Sequence, residues 1–361
     1  MVDYLVVGLG LAGISFCEVL EQHNKSFKVI SDDSQTSSNV AGGLYNPVIL
    51  KRFTLAWDAK AQLDMAIPFY QKLEQKLKTQ LDYKLPVLRR FASIEEQNMW
   101  FEAADKPQMS HFLSTKILAN KNSAIDAPFG YGEVLLTGRI ATKKLLQVYK
   151  NYLVEKDLIL QETLMFDQLV FRKNQVSYKG VIAKNVVFAT GYGQSSNPYF
   201  NYLPLNGTKG ELLTIKAPGL KEDKVIKSSV FIIPLGNDLY RVGATYKWKD
   251  KTNLPTDESK SELLEKLNTF LKCDYEVVDH VAGIRPTVVD RRPLVGRHPE
   301  KEDLYVLNGF GSRGVMTGPR LALDLFNYIE KGVSLAKEID IDRFTKIYYL
   351  VNSQLRQDRI S

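Results

Sequence analysis

Cysteine is nearly absent: Cys17 and Cys273 are the only two in 361 residues. Two distant cysteines make neither a disulfide framework nor a metal-ligand pair, and a reducing cytoplasm is the expected compartment. Histidine is scarce too, and His23, His111, His280 and His298 keep none of the spacings of a zinc site, so no metal is expected. No apolar run reaches the ~18 residues a bilayer crossing needs, and no membrane association is expected. The apolar start, Met1 to Leu20, lacks a basic n-region, carries Asp3 and is broken by three glycines, so it reads as fold rather than as a targeting segment. No serine or cysteine nucleophile arrangement, internal repeat, low-complexity tract or long linker stands out. What remains is a basic globular chain, with a net charge of +7 and a field that would draw in an acidic small molecule or a polyanion. Single hydrophobic cores stop growing near ~250 to 300 residues, so a chain of 361 is expected to form two domains.

The apolar pattern organises the chain. Asp3 to Val7 is a short apolar run, Gly8 to Gly13 a glycine turn, Ile14 to His23 a helix-spaced segment and Phe27 to Ile30 a second strand. That order is the βαβ unit of a dinucleotide site. Asp58 to Leu81 reads as a long helix that Pro68 should kink or divide. From Pro86 to Leu136, and again from Leu205 to Trp248, short alternating runs such as Glu211 to Ile215, Val230 to Ile233 and Leu239 to Val242 suggest antiparallel strands. Between these blocks Thr142 to Lys156 reads as a helix and Asn185 to Thr190 as a buried strand ending in Gly191. Leu304 to Leu307 is a further strand, followed by a glycine turn and a helix from about Val315 to Glu330. The fold class is therefore α/β, α+β overall: a discontinuous Rossmann-type domain of residues 1–83, 137–200 and 275–361, and a mostly antiparallel β domain of 84–136 and 201–274.

Two glycine turns carry the chemistry. In Gly8-Leu-Gly10-Leu11-Ala12-Gly13 the first glycine permits the tight turn, the second lets backbone approach a pyrophosphate, and the third lets helix and strand pack closely. The helix N-terminus adds unpaired N–H groups and a positive dipole end. The acidic residue that would bind the ribose belongs about 20 positions on, where this chain has Ser31; Asp32 directly after it is the candidate. A second GxGxxG turn, Gly309-Phe-Gly311-Ser312-Arg313-Gly314, follows a strand and precedes a helix near the other end of the chain. One dinucleotide needs one pyrophosphate cradle, and a reduced flavin is an electron-rich group for the second helix N-terminus. This favours FAD over NAD, since an NAD-dependent dehydrogenase leaves the second turn without a role.

With these turns, the segment Ser37-Ser-Asn-Val-Ala41-Gly42-Gly43-Leu-Tyr-Asn-Pro47, the Phe188-Ala189-Thr190-Gly191 return, Ile233-Pro-Leu-Gly236, Val242-Gly-Ala-Thr245 and Ala282-Gly-Ile-Arg285-Pro286, the chain resembles the FAD-dependent oxidoreductases of the D-amino-acid oxidase and glycine oxidase superfamily. In motif detail Ala41 to Pro47 and Gly309 to Gly314 are most similar to the C-terminal oxidoreductase domain of MnmC, the bifunctional tRNA wobble-uridine modification protein. The resemblance implies noncovalent FAD contacted by Gly8, Gly10, Leu11, Ala12, Gly13, Asp32, Ser37, Ala41, Gly42, Gly43, Ala189, Thr190, Gly191, Gly311, Ser312, Arg313, Gly314 and Val315. It also implies hydride transfer from the carbon next to a substrate amine to flavin N5, giving an imine that hydrolyses. Arg285 is expected to grip the substrate carboxylate bidentately, with Arg313 adding positive potential and Tyr246 lining the substrate side. A small-molecule amine or amino acid is the expected substrate; the alternative is a stand-alone oxidoreductase acting on the carboxymethylaminomethyl group of a tRNA wobble uridine. Electron acceptor and oligomeric state are open at this stage.

Overall fold

The computed structural model describes residues 1–357 and divides into two compact units. The first comprises 1–39, 143–208 and 284–361, the second 40–142 and 209–283.

The first unit is built on parallel strands. Val2–Val7 pairs with Phe27–Ile30 on one side and with Val181–Phe188 on the other, and Val181–Phe188 pairs in turn with Leu304–Asn308, all parallel. The register aligns Val7 with Ile30 and Phe188, and Phe188 with Val306, so these strands end at one level. Adjacent apolar residues stand on both faces of these strands because both faces are covered: Leu5, Val6, Val29, Val186, Val187, Val306 and Leu307 are all at most 1% exposed. Ile159–Leu160 extends one edge, while Gln175–Tyr178 and Leu294–Arg297 add antiparallel pairs. Helices Leu11–Gln22 and Gly314–Lys331 pack together through small residues. A Cβ on Gly318 would come within 2.8 Å of Ser15 Oγ, and one on Gly314 within 3.2 Å of Leu11 Cδ1.

The second unit holds an eight-stranded sheet in the order Glu276–Arg285, Thr208–Lys216, Leu239–Gly243, Phe231–Gly236, Val225–Lys227, Val87–Arg90, Tyr131–Val134, Leu113–Leu118. Its pairing is mostly antiparallel, with Val225–Lys227 and Val87–Arg90 parallel. One face, with Leu213, Ile215, Ile232 and Val242, packs against Leu263 and Leu267 of helix Asp257–Asn268. A three-stranded sheet sets Gly138–Ile140 between Leu44–Tyr45 and Asp82–Tyr83.

Three expectations differ from these findings. Residues 40–83, read with the nucleotide domain, fall in the second unit, because Leu44 and Tyr45 and then Asp82 and Tyr83 flank Gly138–Ile140 and Tyr45 donates to Asp82 Oδ1 at 2.8 Å. Of the two outcomes expected of Pro68, a kink or a division, the division does not occur: the helix runs as Ala59–Leu77, and a buried stripe of Leu63, Ala66, Phe69, Tyr70 and Leu73 holds both halves. Ile94–Ala104, inside a stretch read as strands, is a helix. Its N-cap is Ser93, whose Oγ accepts from Glu96 N at 3.3 Å, while the Glu96 carboxylate accepts from Ala92 N at 2.7 Å, one residue before the cap.

Candidate active site

Three glycine-bearing turns follow the carboxyl ends of three neighbouring parallel strands in the first unit, the edge at which open α/β sheets bind ligands. The first, Gly8 to Gly13, is backbone packed on backbone. Gly8 has φ +100°, and a Cβ there would lie 2.6 Å from the Ala189 carbonyl oxygen; a Cβ on Gly13 would lie 2.0 Å from the Gly8 carbonyl oxygen. Gly10 is the N-cap of helix Leu11–Gln22 and brings no side chain to cap it. The first-turn N–H groups of Leu11, Ala12 and Gly13 have no partner within the helix, and the dipole concentrates positive potential on them. Ser38 Oγ accepts from Leu11 N at 3.3 Å and lies 3.3 Å from the position of a Cβ on Gly10. Ser38, next to the expected Ser37, is the hydroxyl bonded at this helix start. The motif marked that segment, but only the fold tells the adjacent serines apart.

The second turn, Ala189 to Gly191, ends strand Val181–Phe188. Thr190 Oγ1 is buried without a hydrogen-bond partner, an orphan that a bound ligand would satisfy. Gly193 N donates to Gln35 Oε1 at 3.0 Å, which ties this turn to the loop after Phe27–Ile30.

The third turn, Gly309 to Gly314, leads into helix Gly314–Lys331, whose N-cap is Arg313 and has no side-chain cap bond. Gly309 sits at φ +77° with Val288 Cγ2 2.6 Å from where a Cβ would be, whereas Gly311, at φ +56°, has no neighbour within 4 Å. Ser312 is exposed and Val315 buried. Gly311 N donates to the Pro286 carbonyl at 3.0 Å, so the turn and the Arg285-Pro286 segment are locked together. Asn308, which sequence reasoning missed, fastens the second and third turns. Its Nδ2 donates to the Gly191 carbonyl at 2.8 Å and to Gln194 Oε1 at 3.0 Å, and its Oδ1 accepts from Gly309 N at 2.8 Å. A buried asparagine closing an apolar strand, directly before a glycine, was the available signal.

Arg285 closes strand Glu276–Arg285, half-buried, and its carbonyl accepts from Thr287 N at 2.8 Å. Arg313 is half-buried as well; desolvation, and then the Arg292 charge, push its pKa down from the usual guanidinium value. A cation held in such surroundings favours an anion nearby. Asp32 is exposed and pulled below the usual carboxylate range despite the opposing effect of desolvation, because Ser34 N donates to its Oδ1 at 3.0 Å and the Thr163 hydroxyl to its Oδ2 at 2.9 Å.

Ala41, Gly42, Gly43 and Tyr246 lie in the second unit. Gly43, at φ +72°, would place a Cβ 2.0 Å from the Ile140 carbonyl oxygen, and Gly42 would place one 2.8 Å from Ile233 Cδ1. Tyr246 is 44% exposed and edge-on to Trp248, with ring centroids 5.3 Å apart. Lys247 between them is engaged by Glu258 and Glu262, at 2.9 Å each. Among the described residues no group of three or more histidines, cysteines or carboxylates could hold a metal ion, and no helix is long and apolar enough to cross a membrane.

Comparison with known proteins bears on this geometry. The family model described as DAO, FAD dependent oxidoreductase, matches residues 3–326. Glycine oxidase of Bacillus subtilis is 30% identical over 146 residues, 38% of this chain and 39% of that protein. The tRNA 5-methylaminomethyl-2-thiouridine biosynthesis bifunctional protein MnmC of Legionella pneumophila is 29% identical over 178 residues, 40% of this chain and 26% of that protein. The chain thus covers less than half the length of either relative. Glycine oxidase from Geobacillus kaustophilus shares the fold with a TM-score of 0.77 over 95% of this chain and 97% of that one, at 17% identity.

Proposed function

This chain belongs to the DAO family of FAD-dependent oxidoreductases, and on that premise we propose that it oxidises the C–N bond of a small amino acid or N-substituted glycine. It is an FAD-binding enzyme with the glycine oxidase fold. The first unit is the FAD-binding unit of this reading and the second the substrate unit. The observation that carries it is the lock between Gly311 N and the Pro286 carbonyl at 3.0 Å, which fixes the Arg285-Pro286 segment beside the turn that opens helix Gly314–Lys331, a helix start without a side-chain cap.

The residues present fit FAD. The backbone of Gly8 to Gly13 would hold the pyrophosphate and Asp32 the ribose, Thr190 would offer its orphaned hydroxyl, and the Gly311 to Val315 helix start would supply donors to an electron-rich group. FAD, when bound, supplies the acceptor for the substrate hydride at N5. The protein's share is positioning: Arg285 holds the carboxylate, fixes the carbon that gives up hydride and keeps the amine turned away from the cation. Arg313 holds negative charge as it develops. No side-chain base is required, because an uncharged amine carries its own lone pair to the imine and water then gives a carbonyl compound and the released amine. FAD is held noncovalently in this reading.

Mass-spectrometric analysis after incubation with glycine, sarcosine, D-alanine and D-proline tests this. Formation of the corresponding keto acid or aldehyde supports the reading, and unchanged substrates across the panel overturn it. A second reading, removal of the carboxymethyl group from a modified tRNA wobble uridine, is favoured by the similarity to MnmC and by the net charge of +7. It requires tRNA binding that weakens steeply with salt, and filter binding between low and physiological salt separates the two.

A further inference from the structure

The second unit carries two arginines that the reaction described above does not use. Arg241 sits mid-strand in Leu239–Gly243, paired with Thr214 on one side and Ile233 on the other. Its neighbours Tyr240 and Val242 belong to the hydrophobic core, so Arg241 leaves the sheet on the opposite face, as strand alternation requires. Arg139 lies on the central strand of the three-stranded sheet, with its guanidinium 5.1 Å from the centroid of the Tyr83 ring. The Gly42-Gly43 turn draws the two strands together. A Cβ on Gly42 would sit 2.8 Å from Ile233 Cδ1, opposite Arg241, and one on Gly43 would sit 3.4 Å from Arg139 Cγ.

This arrangement is costly as it stands. Burial pushes both guanidinium pKa values down; at Arg139 Tyr83 opposes this and the Arg241 charge adds to it, while at Arg241 Asp279 opposes it. Arg139 Nε and Arg241 Nη1 are buried with no hydrogen-bond partner. The carboxylate nearest to compensating them is Asp279, with Oδ2 3.6 Å from Arg241 Nη1 but with a side chain 49% exposed, against 15% for Arg241. Among the described residues no ion pair reaches Arg139. Two desolvated cations with orphan donors, sharing one half-exposed ion-pair partner at 3.6 Å from Arg241, are destabilising unless a further anion completes them.

We infer that Arg139 and Arg241 form an oxyanion-binding subsite in the second unit, one that takes a carboxylate or a phosphate group. Two planar guanidinium forks match the oxygen geometry of such a group, and Tyr83 holds one of them in place. The oxyanion has two possible sources, a second acid group on the amine substrate or a free anion that binds without it. The first source rests on the amine-oxidation reading; the subsite does not.

Titration calorimetry on the holoenzyme with malonate and with inorganic phosphate, against chloride at equal ionic strength, tests the assignment. Saturable binding of one anion per chain is expected, weakened tenfold or more in Arg139→Gln and in Arg241→Gln. Thermal melting guards against misfolded variants: each anion should raise the melting temperature of the wild type and fail to raise that of Arg241→Gln, which in anion-free buffer should melt at or above the wild type. Absence of saturable binding, equal binding by wild type and both variants, or a destabilised Arg241→Gln with unaltered anion response overturns the proposal. Competition between malonate and a reducing amine assigns the subsite to the substrate, and binding without competition assigns it to a free anion. The heat signal needs no turnover, so the subsite and the amine-oxidation reading fail separately.

Discussion

Replacing Gly13 by alanine tests the nucleotide cradle. The added Cβ would stand 2.0 Å from the Gly8 carbonyl oxygen, although such contacts essentially never fall below 3.0 Å. The obstacle is backbone, so rotation of a side chain cannot relieve it, and the helix start must retreat from the turn by an ångström or more. Overpacking of this kind costs about 1 to 3 kcal/mol, and a rigid neighbour puts the cost near ~3. That lowers the melting temperature of a domain this size by roughly 6 to 12 °C. The retreat also moves the N–H groups that would hold the pyrophosphate on the proposed reading, and a loss of ~3 kcal/mol there would weaken FAD about 100-fold. Gly311→Ala is the comparison: its φ of +56° strains an alanine by about 1 to 2 kcal/mol, but nothing lies within 4 Å of the new methyl. Apoprotein prepared from each variant and titrated with FAD by flavin fluorescence quenching gives the affinities, and calorimetric melts give the stabilities. A Gly13→Ala protein that binds FAD as tightly as the wild type and melts at the same temperature refutes the reasoning.

On the proposed reading Arg285→Gln would remove a charge-assisted bidentate grip worth ~3 kcal/mol, so KM for an amino acid should rise about 100-fold with the flavin spectrum unchanged, measured by steady-state kinetics. Asn308→Ala strips partners from the Gly191 carbonyl and the Gly309 N–H, at about 2 to 3 kcal/mol, and should lower both the melting temperature and the FAD retained through gel filtration. His298 is 4% exposed and accepts backbone N–H bonds from Glu300 and Lys301 at Nδ1, at 3.1 Å each; burial, and then the Lys301 charge, hold its pKa at about 4, against an ordinary 6.5. As pH falls the unfolded chain takes up this proton first, so a contribution fully present above 6.5 is lost between 6.5 and about 4. The loss amounts to about 3 kcal/mol, and melting curves across that range should fall more steeply for wild type than for His298→Asn.

The parts of this protein written as local patterns were legible in its sequence. The Gly8 to Gly13 turn sits between a continuous apolar strand and a helix, and each glycine there answers to a contact with Gly8, Ala189 or Ser38 that a side chain would crowd. Phe27–Ile30 was read to the residue. The second turn signal at Gly309 to Gly314 was legible for the same reason, whereas its tie to Pro286 needed the fold. Tertiary pairing hid the rest. Nothing local says that Leu44–Tyr45 will flank Gly138–Ile140, about 95 residues on, and that pairing moves 40–83 into the second unit. Ser37 and Ser38 are equivalent by composition, and only the direction of a four-residue helix sets Ser38 beside Leu11 N. Arg139 and Arg241 gave no signal, since a lone arginine between apolar neighbours reads as an exposed strand position until the opposite sheet face is covered.

The most direct test of the central claim is the visible spectrum of the purified protein mixed anaerobically with glycine, sarcosine, D-alanine and D-proline in turn. Oxidised FAD should be present at the outset and should be bleached by at least one of these amines, with Arg285→Gln slowing the bleaching at subsaturating substrate. A protein that takes up no FAD, or a bound flavin that no amine in the series reduces while the modified tRNA does, contradicts the account.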